Sequence, residues 1–204
     1  MKNKENGRSM VEMLGVLAII GVLSAGALAG FNTAMKKHKL NEHLDALNTI
    51  FQSAYELSQQ LPEDTGWKQY SEVLYKSKGF PKHFKYSAGD TILDSFNNRF
   101  YFYRTSGVTW GFNYTIENSE FSKQICHNLV TFAIQNSSIL SGIERSANYN
   151  EEGNYSTTSL YGDHSCQQNR LCLKDITLSD IDSFCSLDMG ESTNNKYLFW
   201  ILWK

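Results

Sequence analysis

Gly7-Arg8-Ser9-Met10-Val11-Glu12 runs directly into Met13-Leu-Gly-Val-Leu-Ala-Ile-Ile-Gly-Val-Leu-Ser-Ala-Gly-Ala-Leu-Ala-Gly-Phe31. From Leu14 to Phe31 there is no charge, and the run approaches the roughly 20 apolar residues that a helix needs to cross a bilayer. A secretory signal has its processing point behind the apolar segment and discards that segment. Here the processing candidate, Gly7 after a short lysine-bearing leader, lies in front, so the segment is expected to stay with the mature chain. Glu12 stands at the lip of the run, where a carboxylate is costly to bury and needs a partner. Ala27-Leu28-Ala29 offers a competing signal-peptide cleavage site, against which stand Glu12 and the pattern that follows.

Gly15, Gly21, Gly26 and Gly30 would weaken a helix in water by about 1 kcal/mol each relative to alanine. In a membrane or a helix bundle they let neighbouring helices approach closely. Beyond the lysine collar of Lys36, Lys37 and Lys39, apolar residues recur at helical spacing: Leu40, Leu44, Leu47, Phe51 and Ala54. Polar Asn41, Glu42, Asp45, Asn48 and Gln52 lie between them, which predicts an amphipathic helix laid on a globular core. Gln59-Gln60-Leu61-Pro62 ends it. Basic residues flank both ends of the apolar run, so charge does not decide its orientation in a membrane.

Gly7, Glu12 as the fifth residue after it, and a retained hydrophobic helix continuing into an amphipathic one resemble the type IV prepilins and the pseudopilins of type II secretion. The resemblance covers about the first 35 to 55 residues, a span judged by helix length. It implies cleavage after Gly7 by a prepilin peptidase, N-methylation of Arg8, and assembly through Glu12 paired with the N-terminal amine of a neighbouring subunit. It also implies a bacterial inner-membrane precursor that polymerises into an extracellular homo-oligomeric filament, driven by an assembly ATPase and a platform protein. Two departures stand out. Arg8 occupies a position that is usually large and apolar, and Ala29 one where many members carry a kinking proline, which predicts a straighter stem. The expected fold is α+β: a long N-terminal helix packed on an antiparallel sheet, as in type IV pilins. The expected segments are a leader at 1–7, a filament-core helix at 8–35, an amphipathic helix at 36–61 and a globular αβ domain at 62–204.

Within that domain, residues 62–92 read as a connecting region with a helical turn through Lys68 to Tyr75. Arg99 to Arg104 and Val108 to Ile116 read as a β-hairpin, the second strand alternating with Val108, Trp110, Phe112, Tyr114 and Ile116 on one face. Phe121 to Gln135 predicts a helix capped by Asn118 or Ser119. Asn148 to Asn169 is polar and reads as a surface loop. Thr177-Leu-Ser-Asp180 predicts a capping box opening a short helix through Phe184. Tyr197 to Trp203 is apolar at every position, which suits a strand in the middle of a sheet. That ending and the order of pieces resemble the type IVb pilins, while the short leader is closer to type IVa.

Four cysteines in a chain with an export-like start fit an oxidising compartment, and they allow three pairings. Cys126–Cys185 with Cys166–Cys172 is the favoured set, the first tying late chain to the central helix and the second stapling a local loop. Asp175, Asp180, Asp182 and Asp188 lack calcium-loop spacing and read as caps and surface. His38, His43, His83, His127 and His164 are scattered. No nucleophile motif or phosphate loop is present, so no enzyme, cofactor or metal site is expected. A net charge of -2 argues against a dedicated nucleic-acid binder. The expected function is a structural pilus subunit serving adhesion, aggregation, motility or DNA uptake. The alternatives are a minor pilin or type II secretion pseudopilin and, from another class, a non-polymerising membrane-anchored or secreted binding protein.

Overall fold

The structure is a computed structural model that describes residues 10–61, 66–87, 90–105, 109–147, 156–186 and 196–204. Helix α1, Met10–Ser58, is unbroken. The chain divides into two compact units, residues up to Lys39 and Leu40–Lys204.

The larger unit is built on one antiparallel sheet. Its strands are β1 (Lys68–Gln69), β2 (Lys85–Ser87), β3 (Thr91–Leu93), β4 (Arg99–Arg104), β5 (Trp110–Glu117), β6 (Leu140–Ala147), β7 (Ser156–Tyr161) and β8 (Lys196–Trp203). They run in the order β2-β3-β4-β5-β8-β6-β7, with β1 added on β4. The β4–β5 hairpin expected from sequence is present and pairs Phe102 with Phe112 and Arg104 with Trp110. Val108 lies outside the described residues. β8 lies between β5 and β6, opposing Phe112 with Ile201 and Ile143 with Ile201. Its doubly apolar sequence follows from that central position.

One face of the sheet carries Phe100, Phe102, Phe112, Tyr114, Phe199, Ile201 and Trp203, all essentially buried. On it lies the last part of α1, which buries His43, Ala46, Leu47, Ile50, Phe51, Ala54 and Ser58 at steps of one, three and four residues. Phe51 is a hub, edge-to-face with Trp203 at 5.2 Å and with Phe132 at 5.3 Å. Trp203 in turn stacks on Phe102 at 5.9 Å. Such aromatic pairs add about 0.5–1.5 kcal/mol each beyond the area they bury. Phe132 belongs to α3, Ser122–Gln135, which buries Ile125, Cys126 and Leu129 on the same stripe.

Short elements complete the unit. Helix α2, Ser71–Lys76, and strands β1 to β3 occupy the stretch expected to be a connector with a single helical turn. Helix α4, Leu178–Phe184, opens with the expected capping box: Asp180 N–H donates to the Thr177 hydroxyl, and Thr177 N–H donates to the Asp180 carboxylate.

Two expectations are corrected. Neither Asn118 nor Ser119 caps α3. The helix begins later, after Phe121, and Ser119 accepts instead from Phe121 N–H at 3.2 Å, closing the preceding turn. The polar stretch expected as a loop contains β7, whose Ser156–Tyr161 residues pair along β6 at the end of the sheet. An end strand meets water along one side, so it forms without an apolar run; Leu160 is the fully buried residue among the described side chains of β7.

Candidate functional site

Residues 10–39 form a helical surface with no core of its own. Met10, Leu14, Leu17, Ile20, Leu23, Leu28 and Phe31 are each between 53% and 85% exposed. The most apolar 18-residue window has mean hydropathy 2.2 and none of it is buried, so the helix is long and apolar enough to cross a membrane. Burying one such side chain is worth about 1.5–3 kcal/mol. A surface of this extent therefore belongs against lipid or protein.

Glu12 lies exposed in the first turn of α1. A Cβ placed on Gly15, Gly21, Gly26 or Gly30 would meet nothing within 4 Å. The fold of this chain does not require these glycines. They leave flat patches on the helix, Gly26 and Gly30 one turn apart, where another helix backbone can come close. Lys36, Lys37, His38 and Lys39 follow, all exposed. Gly7 and Arg8 lie outside the described residues.

In the larger unit the sulfurs of Cys126 and Cys185 are bonded at 1.97 Å and those of Cys166 and Cys172 at 1.85 Å, the pairing favoured from sequence. The first bond joins α3 to the end of α4 across 59 positions. The second closes a six-residue step. Cys166, Cys172 and Asp175 bring their donor atoms within 4.8 Å of one another. With the two sulfurs bonded to each other, no thiolate is offered to a metal there. Asp180 serves the α4 cap, and its pKa is lowered by the hydrogen bonds from Thr177. Asp182 pairs with Lys123 at 2.8 Å and with His127 at 3.3 Å, and both partners lower its pKa, Lys123 first. His83 approaches Glu42 at 3.6 Å. Asp188 lies outside the described residues.

Sequence reasoning missed the polar cluster under α1. Tyr114 donates its hydroxyl proton to Asp94. The same oxygen accepts from His43 Nε2 at 2.9 Å and from Asn98 Nδ2 at 3.2 Å. His43 Nδ1 accepts from Asn128 Nδ2, which also donates to the Leu40 carbonyl. Asp94 Oδ1 accepts from the backbone N–H groups of Phe96 and Asn98. Every member is satisfied when the imidazole proton is on Nε2. Burial lowers the His43 pKa to about 4, against the opposing pull of Asp94, so the ring is neutral at pH 7. The 3.8 Å approach of His43 to Asp94 is therefore not an ion pair at that pH. His43, Asp94 and Tyr114 are at most 5% exposed, which keeps them from any solute. Their role is to hold the register of α1 on the sheet.

Comparison of the chain with protein-family models, curated proteins and solved structures gives no match.

Proposed function

We propose that this chain is a type IV pilin-like structural subunit, made as a prepilin, cut after Gly7 and polymerised through residues 8–35. The observation that carries the reading is an apolar helix with none of its most hydrophobic window buried, opening on a lone carboxylate, Glu12. Lipid satisfies the aliphatic surface but leaves the acid at a cost of about 3 kcal/mol if it enters the bilayer core. A helical bundle of sister copies satisfies both, because each subunit brings an N-terminal amine to its neighbour's Glu12. The glycine patches at Gly15, Gly21, Gly26 and Gly30 support close lateral packing. The larger unit, stapled by two disulfides, fits display outside the cytoplasm.

In this reading a prepilin peptidase, an assembly ATPase and a platform protein act on the chain. The subunit waits in the bacterial inner membrane and then enters an extracellular filament. No catalysis is assigned to it.

Mass spectrometry of the mature chain, with electron microscopy of cells that carry or lack it, tests the proposal. A methylated Arg8 start and filaments that depend on the chain are expected. A mature start near Gly30, or a helix always solitary in the bilayer, overturns it.

A further inference from the structure

The face of the sheet turned away from α1 holds a groove of about 460 Å³. Its floor is built from cross-strand neighbours. Tyr101, Asn113 and Trp200 lie side by side on β4, β5 and β8, and one step along, Tyr103 opposes Gly111. A Cβ on Gly111 would come within 2.9 Å of the Tyr103 hydroxyl, so the glycine is what lets that ring lie flat across the sheet. Trp67 stacks on Tyr103, ring centroids 6.3 Å apart and planes 28° apart, and remains 64% exposed. Gln69 and Thr105 complete the lining, their donors held by the carbonyls of Asp90 and Thr109 so that oxygen acceptors are what they can offer.

We propose that this groove binds a neutral saccharide. The first argument is charge. Among the described residues no lining side chain is ionic, and Glu144, on the neighbouring strand, opposes Trp200 in register. A nucleic acid or a sulfated or phosphorylated glycan needs cations that the lining does not offer. The second argument is shape. Flat rings at the floor and walls match the apolar faces of pyranose rings, and a few convergent amides and hydroxyls match their edges. The third is the polar lining. The Tyr101 hydroxyl accepts from the Thr91 hydroxyl at 3.1 Å and so keeps its own proton to give. A sugar hydroxyl both accepts and donates, whereas a lipid chain does neither and a proline-rich peptide lacks N–H donors. Tyr103 stays protonated, because burial and then the Glu144 charge raise its pKa, so it adds no anion to the groove.

The inference stands whether or not the chain polymerises. The test uses the full chain in a zwitterionic detergent, since glycoside detergents would compete. It is probed on an array of neutral oligosaccharides, with decaproline and an oligothymidylate as other classes. Hits are titrated by tryptophan fluorescence. At least one neutral oligosaccharide should bind, with affinity insensitive to salt. Trp67→Ala should weaken that binding about tenfold or more, the scale of one lost stacking contact. Tyr101→Phe should weaken it too while leaving the melting transition in place. An array without a neutral ligand, affinity unchanged in Trp67→Ala, or binding of decaproline or the oligothymidylate alone overturns the proposal.

Discussion

The imidazole of His43, on α1, meets the phenol of Tyr114, on β5, at 2.9 Å across 71 positions of sequence. The contact lies beneath the helix with Asp94 and Asn98 completing it, so the seating of α1 on the sheet is read by hydrogen bonds as well as by the aromatic core around Phe51.

Burial of that imidazole makes stability depend on pH. Folded His43 titrates near 4 and an unfolded histidine near 6.5. Between those values the unfolded chain binds more protons, so stability is full above about 6.5 and declines as pH falls toward 4. At about 1.4 kcal/mol per pH unit the loss from this one group reaches about 3 kcal/mol. The groups facing it are Asp94, Tyr114 and His83. Denaturant unfolding at a series of pH values should show the decline, and His43→Gln should flatten it. A variant with the parent slope would show that another group is responsible.

Glu12→Ala should separate membrane residence from assembly. The variant chain is expected to accumulate in the membrane fraction at normal levels while filaments disappear from electron micrographs. Normal filaments with alanine at this position would remove the proposed amine–carboxylate contact.

Glycines in the two units should respond oppositely to the same change. A Cβ on Gly162 would fall 1.8 Å from the Leu140 carbonyl oxygen, a backbone atom that cannot swing aside. Gly162→Ala should cost about 3 kcal/mol or more in thermal or denaturant unfolding. Gly30→Ala meets nothing and should leave that transition unmoved, whereas Gly26→Leu with Gly30→Leu should impair polymerisation.

The two disulfides should differ by the lengths of chain they close. In the loop-entropy picture, Cys126–Cys185, 59 positions apart, contributes about 4 kcal/mol. Cys166–Cys172, six apart, contributes about 2 kcal/mol. Unfolding of the paired alanine variants should rank in that order; the reverse ranking would mean native contacts, not chain restriction, dominate.

Local pattern made part of this structure legible. The hairpin showed in the alternation from Trp110 to Ile116, α4 in the capping box from Thr177 to Asp180, and β8 in its two apolar faces. The β6–β7 pair was hidden because it has few fully buried large apolar residues, Leu140, Ile143 and Leu160, between serines and threonines. The His43 cluster had no local signature at all, since its members come from positions 43, 94, 98, 114 and 128 and only the tertiary fold joins them. The aromatic groove was concealed for a related reason. Trp67 falls in a stretch that reads as a connector, Tyr103 and Trp200 fall in two separate strands, and their common outward face depends on strand register. On the stem, composition alone exposed the apolar surface and its acid.

Among the described strands the last to leave the ribosome is the one that joins the two flanks of the sheet. Until Lys196–Trp203 emerges, the edges of Trp110–Glu117 and Leu140–Ala147 that it will occupy stay open. Before that strand arrives the sheet stays in two halves, each with a sticky border open to unwanted pairing. A product lacking Lys196–Trp203 would keep both borders bare and would be prone to aggregate.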